Sequence, residues 1–226
     1  MYKDFSIIIT TFNDNYHLDS LLENINKLDL NDYNFEILIL DANNYPETRA
    51  KSKLLSLSEN LVFLSKPGLS RESSLNKLFN MAKGKYLIRL DARTRIKRNY
   101  VQKILNHLKN QDLAAVGGVL YCDGKTEEQR LVASLMNHPI SFGFANFRTT
   151  LKPIFVNSVY LGAYNKNKCL ALLSGDKWFE SQLPGISEDS DLNFRLNRAG
   201  GLILCDPSIK VLHYPRESIK GYNNLC

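Results

Sequence analysis

Dense apolar runs alternate with apolar positions at helical spacing along the first half of the chain. Phe5 to Thr11 (Phe-Ser-Ile-Ile-Ile-Thr-Thr) is rich enough in β-branched residues for a strand buried on both faces. A polar turn, Phe12-Asn13-Asp14-Asn15, follows, and then Leu18, Leu21, Leu22, Ile25 and Leu28 recur at helical intervals. Phe35 to Leu40 reads as a second buried strand, closed by Asp41 and the turn Ala42-Asn43-Asn44. Pro46 suits the first turn of a helix through about Leu57, and Leu61 to Leu64 a short third strand. Ser70 is placed to cap a helix running to Ala82, with Leu75, Leu78, Phe79 and Ala82 inward and Gly84 ending it. The strand Tyr86 to Leu90 then stops on Asp91, ahead of a basic turn at Arg93, Arg95, Lys97 and Arg98. A helix from Asn99 to Lys109 and a strand from Ala114 to Leu120 continue the alternation. This rhythm predicts an α/β fold with a parallel sheet and right-handed crossovers.

After Tyr121 the pattern changes. Thr126 to Met136 reads as a helix, and His138 to Pro153 as a loop rich in aromatics and glycine. Val159 to Tyr164 is expected as a strand. A helix starts at Ser187 and ends at Ala199 before Gly200-Gly201, followed by strands at Leu202 to Cys205 and Lys210 to His213. We expect one domain over residues 1–226, with a Rossmann-like half at 1–120 and a mixed half at 121–226. Asn223-Asn224-Leu225-Cys226 falls where another helix is expected to begin, so the natural chain is expected to continue.

Composition narrows the class without choosing a function. Of 226 residues, 44% are hydrophobic and 23% charged, as in ordinary globular domains. Lys and Arg total 29 against 23 Asp and Glu, a net charge of +6 that suits an anionic small ligand, an anionic membrane surface or nucleic acid alike. Cys122, Cys169, Cys205 and Cys226 form no CxxC pair and have no metal-ligand spacing, so reduced thiols in a cytoplasmic setting are expected. No stretch approaches the length of a membrane span, and a strand starts too early for a signal peptide. P-loop, GxGxxG, HExxH and GxSxG patterns are absent, which disfavours the enzyme classes built on them.

Candidate chemistry lies in three places. Asp41 and Asp91 end neighbouring parallel strands, where open α/β sheets bind ligands, and carboxylates there accept hydrogen bonds from ring N–H and ribose hydroxyl groups. Phe12 can lay its face on a base, although a core role competes. In Ser187-Glu188-Asp189-Ser190-Asp191, acids complement the start of a helix, or one of them acts as general base. Either Glu188 or Asp189 points inward, with Asp191 assigned to solvent. A lone histidine, His213, ends a late strand, and Arg216 beside it is a phosphate clamp or a surface charge.

In order, these pieces resemble glycosyltransferase family 2. The resemblance runs through Thr10-Thr11-Phe12-Asn13, the strand ending at Asp41, Asn76 with Ala82-Lys83-Gly84-Lys85-Tyr86, and Ile88-Arg89-Leu90-Asp91-Ala92-Arg93. It continues through Val159-Tyr160-Leu161-Gly162-Ala163-Tyr164, Glu188-Asp189-Ser190-Asp191-Leu192-Asn193-Phe194-Arg195-Leu196 and Tyr214-Pro215-Arg216-Glu217-Ser218. The last four motifs are similar to the branch of succinoglycan-biosynthesis glucosyltransferases. The resemblance implies a GT-A fold and an inverting hexosyltransferase. Its donor site would be Thr11, Phe12, Asn13, Asp41, Asn76, Asp91 and Arg93, with Arg216 also at phosphate. Asp189 would be the general base, supported by Glu188, with His213 and Asp91 as metal ligands.

One position departs from the family pattern. The third place of the Asp-x-Asp motif is Arg93, and a guanidinium cannot ligate Mg²⁺ or Mn²⁺, so dependence on a divalent cation is put in doubt. Arg93 is expected instead to carry positive charge near the phosphates. The implied partners are a UDP-sugar and a saccharide acceptor on a lipid carrier, with peripheral contact at the inner face of a plasma membrane. Two rivals stand beside this: a catalytically silent sugar-nucleotide-binding module, and a basic nucleic-acid-binding domain. The second lacks the interleaved aromatics of a stacking platform, and no nucleic-acid partner is expected.

Overall fold

A computed structural model describes residues 2–12, 14–43, 59–138, 150–180 and 188–216. The helix expected from Pro46 to Leu57, most of the His138 to Pro153 loop, Asn13, Ser187 and the tail from Glu217 lie outside the described residues.

The β-branched runs form the strands that sequence pattern predicts. β1 (Lys3–Thr11) lies parallel to β2 (Phe35–Asp41) on one side and to β4 (Gly84–Asp91) on the other, and β3 (Leu61–Ser65) pairs parallel to β2. Strand alternation sends Phe5, Ile7 and Ile9 to one face and Ile8 to the other. On the first face they pack under α1 (Asn15–Ile25) and α3 (Tyr100–Asn110); on the second Ile8, Leu38 and Leu40 meet α2 (Arg71–Met81) and α6 (Glu188–Arg198). Ser70 caps α2 as expected, its hydroxyl accepting from the Ser73 amide at 3.1 Å.

The sheet is mixed, with a mostly parallel first half as expected, and the later half joins it as part of the same sheet. β8 (Tyr160–Asn165) from the later half enters antiparallel between β4 and β6 (Ala115–Cys122), so the halves share one sheet. Beyond β6 lies β9 (Ile203–His213), parallel to it, and then the short edge strand β5 (Thr94–Ile96). β7 (Ile154–Phe155) adds to β9. The stretch read as a basic turn after Asp91 therefore includes β5, held antiparallel against Val211 to His213. The two late strands are one strand with a register shift opposite Gly118 and Val119, where Pro207 interrupts the pattern. Gly118 is required there, because a Cβ would sit 1.8 Å from the Ile209 carbonyl oxygen. Two further helices, α4 (Glu127–Asn137) and α5 (Lys166–Leu173), complete the described elements, α5 having escaped the sequence pattern.

A polar brace joins the strands at the end away from the acids. The Ser6 hydroxyl donates to Glu36 Oε1 at 2.6 Å, and the amides of Lys83 and Gly84 donate to Glu36 and Ser6 at 2.6 and 2.9 Å. Gly84 lies so close to β1 that a Cβ would be 2.3 Å from the Ser6 nitrogen.

Candidate active site

Three parallel strands deliver polar residues to one edge of the sheet. Across β1, Thr10 is in register with Asp91 and Thr11 with Asp41. The two acids thus flank the end of β1; they are not on adjacent strands, as expected, because β1 runs between β2 and β4. Asp41 is completely buried, and its Oδ1 accepts from the Asn43 amide at 3.2 Å. Thr11 is buried with a hydroxyl that has no partner among the described residues, and Phe12 beside it is 60% exposed. An open aromatic face and a buried hydroxyl at the end of a parallel strand are what a stacked, hydrogen-bonding ligand would use.

Asp91 belongs to a different kind of arrangement. Arg89 lies two residues before it on β4, so both side chains leave the same face of the sheet. Arg89, with a side chain 2% exposed, donates through Nη2 to Glu188 Oε1 at 2.6 Å and through Nη1 to Asp189 Oδ1. Arg71, the first residue of α2, reaches the same Glu188 oxygen through Nε at 2.8 Å and Asp91 Oδ2 through Nη2 at 3.3 Å. Asp91, Arg71, Glu188, Arg89 and Asp189 therefore form one alternating row of charges joining β4, α2 and the start of α6. Glu188 is 4% exposed, and a carboxylate so buried is tolerable only because guanidinium donors surround it. Burial opposes the charge of Asp91, yet Arg71, His213, the Arg93 amide and Arg89 hold its pKa below the ordinary carboxylate value.

The other expected site residues are placed as follows. Arg93 gives its amide to Asp91 Oδ1 at 3.0 Å, but its guanidinium faces Asp14 at 2.7 and 2.8 Å and the Pro215 carbonyl at 3.3 Å. Its side chain braces the crevice wall and does not touch Asp91. Asn76 exchanges hydrogen bonds with the Phe179 backbone, donating at 2.7 Å and accepting at 2.9 Å, which ties α2 to the segment before α6. Asp191, assigned to solvent, is half-buried and pairs with Arg195 at 2.8 Å. Arg216 is exposed. His213 ends β9 with its Nδ1 3.3 Å from the Tyr160 hydroxyl. Burial first, and then the charge of Asp91, raise the Tyr160 pKa well beyond the ordinary phenol value, so the phenol stays protonated.

The model of the family described as "Glycosyl transferase family 2" matches residues 6–172. The chain belongs to glycosyl transferase family 2. A dolichyl N-acetyl-α-D-glucosaminyl phosphate 3-β-D-2,3-diacetamido-2,3-dideoxy-β-D-glucuronosyltransferase of Methanococcus voltae is 24% identical over 96% of this chain and 68% of its own length. Succinoglycan biosynthesis protein ExoA of Rhizobium meliloti is 22% identical over 94% of this chain and 64% of its own. Among solved structures, a Pyrobaculum calidifontis mannosyltransferase in complex with GDP-Man and Mn²⁺ superposes with a TM-score of 0.69 at 14% identity, covering 100% of this chain and 61% of that one. S. aureus TarS with UDP-GlcNAc gives 0.68 at 15%, covering 96% and 60%. These likenesses identify the GT-A fold, and the chain spans about two thirds or less of the proteins it matches.

For this family 2 chain, the charged row was partly legible. Asp91, Glu188 and Asp189 stood out as acids, and the row brings them together. Arg71 and Arg89 were missed as site residues. Arg89 carried a signal, being a charge inside an apolar strand on the face of Asp91, a position that demands a partner. Nothing local marked Arg71. As to a metal, no three acidic, His or Cys side chains group as ligands among the described residues. His213 acts electrostatically on Asp91. A carboxylate and, when neutral, an imidazole are donor types that a divalent ion takes, and with two protein ligands the rest of its shell would have to come from a diphosphate and water.

Proposed function

We propose that this chain is an inverting glycosyltransferase domain that moves a hexose from a nucleotide diphosphate, with UDP-hexose the favoured donor, to a hydroxyl of a saccharide acceptor. The observation that carries the reading is the row of charges: a strand-end acid of the donor half and two acids of the later half share guanidinium partners across one crevice. Phe12 stacks on the base, and Thr11 and Asp41 with Asn13 serve its polar edge. Asp189 removes the proton of the acceptor hydroxyl. The freed oxygen attacks the anomeric carbon, the bond to the diphosphate oxygen breaks, and one displacement inverts the configuration. Because Arg89 holds Oδ1, the proton goes to the other oxygen of Asp189. Glu188 anchors the helix start. Asp91 and His213 would hold a divalent cation, which when bound neutralises diphosphate charge.

The acceptor is a growing cell-surface polysaccharide on a lipid carrier. Support comes from the names of the relatives, one a succinoglycan biosynthesis protein and the other acting on a dolichyl-phosphate sugar. No described helix is long and apolar enough to cross a membrane. The acceptor would be met by peripheral contact at the inner face, helped by the net charge of +6. A sugar-nucleotide-binding module without turnover is the second reading, favoured by the grip of Arg89 on the proposed base. A thermal-shift screen of UDP- and GDP-sugars with and without Mn²⁺ tests donor binding. Transfer from the stabilising sugar to lipid-linked saccharides, with the product anomer read by NMR, then tests the reaction. An inverted product supports the proposal; binding without transfer favours the module, and a retained anomer contradicts the mechanism.

A further inference from the structure

The row of charges contains a cation that no motif assigns. Arg71 stands just after the cap of α2, with Nε on Glu188 and Nη2 on Asp91, so its fork spans the donor and later halves. Its side chain is 43% exposed, whereas Arg89 is 2% and Arg93 18% exposed. Arg89 is committed to two buried carboxylates, and Arg93 to Asp14 and Pro215. Of the two guanidinium groups in the row, Arg71 is thus the one with an open face; Arg216 is exposed as well but lies outside the row.

A nucleotide diphosphate entering beside Asp91 brings at least two further negative charges to three carboxylates. Without a cation turned toward it, that approach is repelled. A guanidinium presents paired N–H donors that match phosphate oxygens, and the start of α2 adds partial positive charge beside it.

We propose that Arg71 is the donor-binding residue for the diphosphate, turning from Glu188 and Asp91 to the phosphate oxygens when donor enters. This rests on the nucleotide-donor reading above. It transfers to Arg71 the phosphate role that the sequence suggested for Arg93. The acids of the crevice then compete with the diphosphate for one guanidinium, so Arg71 returns to Glu188 and Asp91 when the nucleotide product leaves.

Calorimetric titration of UDP and of uridine, with GDP and guanosine in parallel, separates phosphate from base recognition. It is run on wild type, Arg71→Gln and Arg71→Lys, each with Mn²⁺ and with EDTA. Arg71→Gln is expected to weaken UDP by about tenfold or more, the worth of a charged hydrogen bond, and to leave uridine unchanged. Arg71→Lys, which keeps the charge but loses the fork, is expected to fall between. UDP affinity of Arg71→Gln within about twofold of wild type, or an equal loss for UDP and uridine, overturns the inference. If Arg71→Gln does not fold, Arg71→Lys decides by the same comparison: weaker UDP with unchanged uridine supports, unchanged UDP overturns. Wild-type protein that binds neither diphosphate overturns the donor reading and this inference together, whereas wild-type binding with unaltered variants overturns the inference alone.

Discussion

Asp41 and Glu188 are both buried acids at the crevice, but different forces hold them. Asp41 ends β2 inside the parallel sheet, its carboxylate meeting the amide of Asn43 two residues on. Glu188 opens α6 and is gripped by guanidinium groups from β4 and α2, with Arg89 lying 99 residues away in the chain. The Asp41 side of the crevice is therefore shaped where the strand itself ends. The Glu188 side exists only when α6 has docked and its charges are compensated. An ion row that holds Glu188 and Asp189 is at once a stability element and a device for orienting them, whereas the Asn43 amide that meets Asp41 is backbone only two residues away.

Changing the row should separate the two sides most sharply. Arg89→Met removes the cation between two carboxylates and is expected to cost about 3–5 kcal/mol in urea unfolding, because a buried charge is left uncompensated. Asp41→Asn, which keeps shape and hydrogen-bonding capacity, is expected to cost about 1 kcal/mol. Equal losses for the two variants would erase the contrast drawn here. Gly84→Ala, which forces β4 from β1 at the brace, should lower stability by about 1–3 kcal/mol while leaving the charged row in place.

Smaller effects sharpen the same contrast. Phe12→Ala should weaken UDP binding by about 1–3 kcal/mol in calorimetry without moving the melting temperature, since the ring is exposed before donor arrives. The smallest expected effect is on acid stability. The folded-state pKa of Asp91 is lowered, so its contribution is complete above the ordinary carboxylate pKa and is lost as pH falls through the lowered value. Asp91→Asn should accordingly lose less stability than wild type as pH falls from about 4, the ordinary carboxylate value, through the lowered one, measured by urea midpoints. A steeper loss in the variant would reverse that sign.

What was legible in the chain was what is local. β-branched runs at Phe5 to Thr11 and Phe35 to Leu40 announced buried parallel strands, and Asp41 and Asp91 at strand ends needed no partner to be noticed. The cap at Ser70 was equally local. What escaped depends on distant pairing. Nothing within Val159 to Tyr164 says that it inserts antiparallel between β4 and β6. Pro207 broke the apolar run of β9 into two apparent strands, although a bulge carries the pairing past it. Three-residue β5 is a strand because of β9, and the basic residues in and around it read alone as a turn. In the site, the acids were visible but their counter-ions were not, since compensation of charge is a tertiary property.

The central claim is that Asp189 primes the acceptor hydroxyl on a scaffold of ion pairs while the donor is held elsewhere. Transfer rate and UDP affinity measured together on Asp189→Asn test it most directly. The account predicts a transfer rate lower by about 10²-fold or more, the usual worth of a general base, with UDP binding unchanged. Transfer at the wild-type rate in that variant would contradict it.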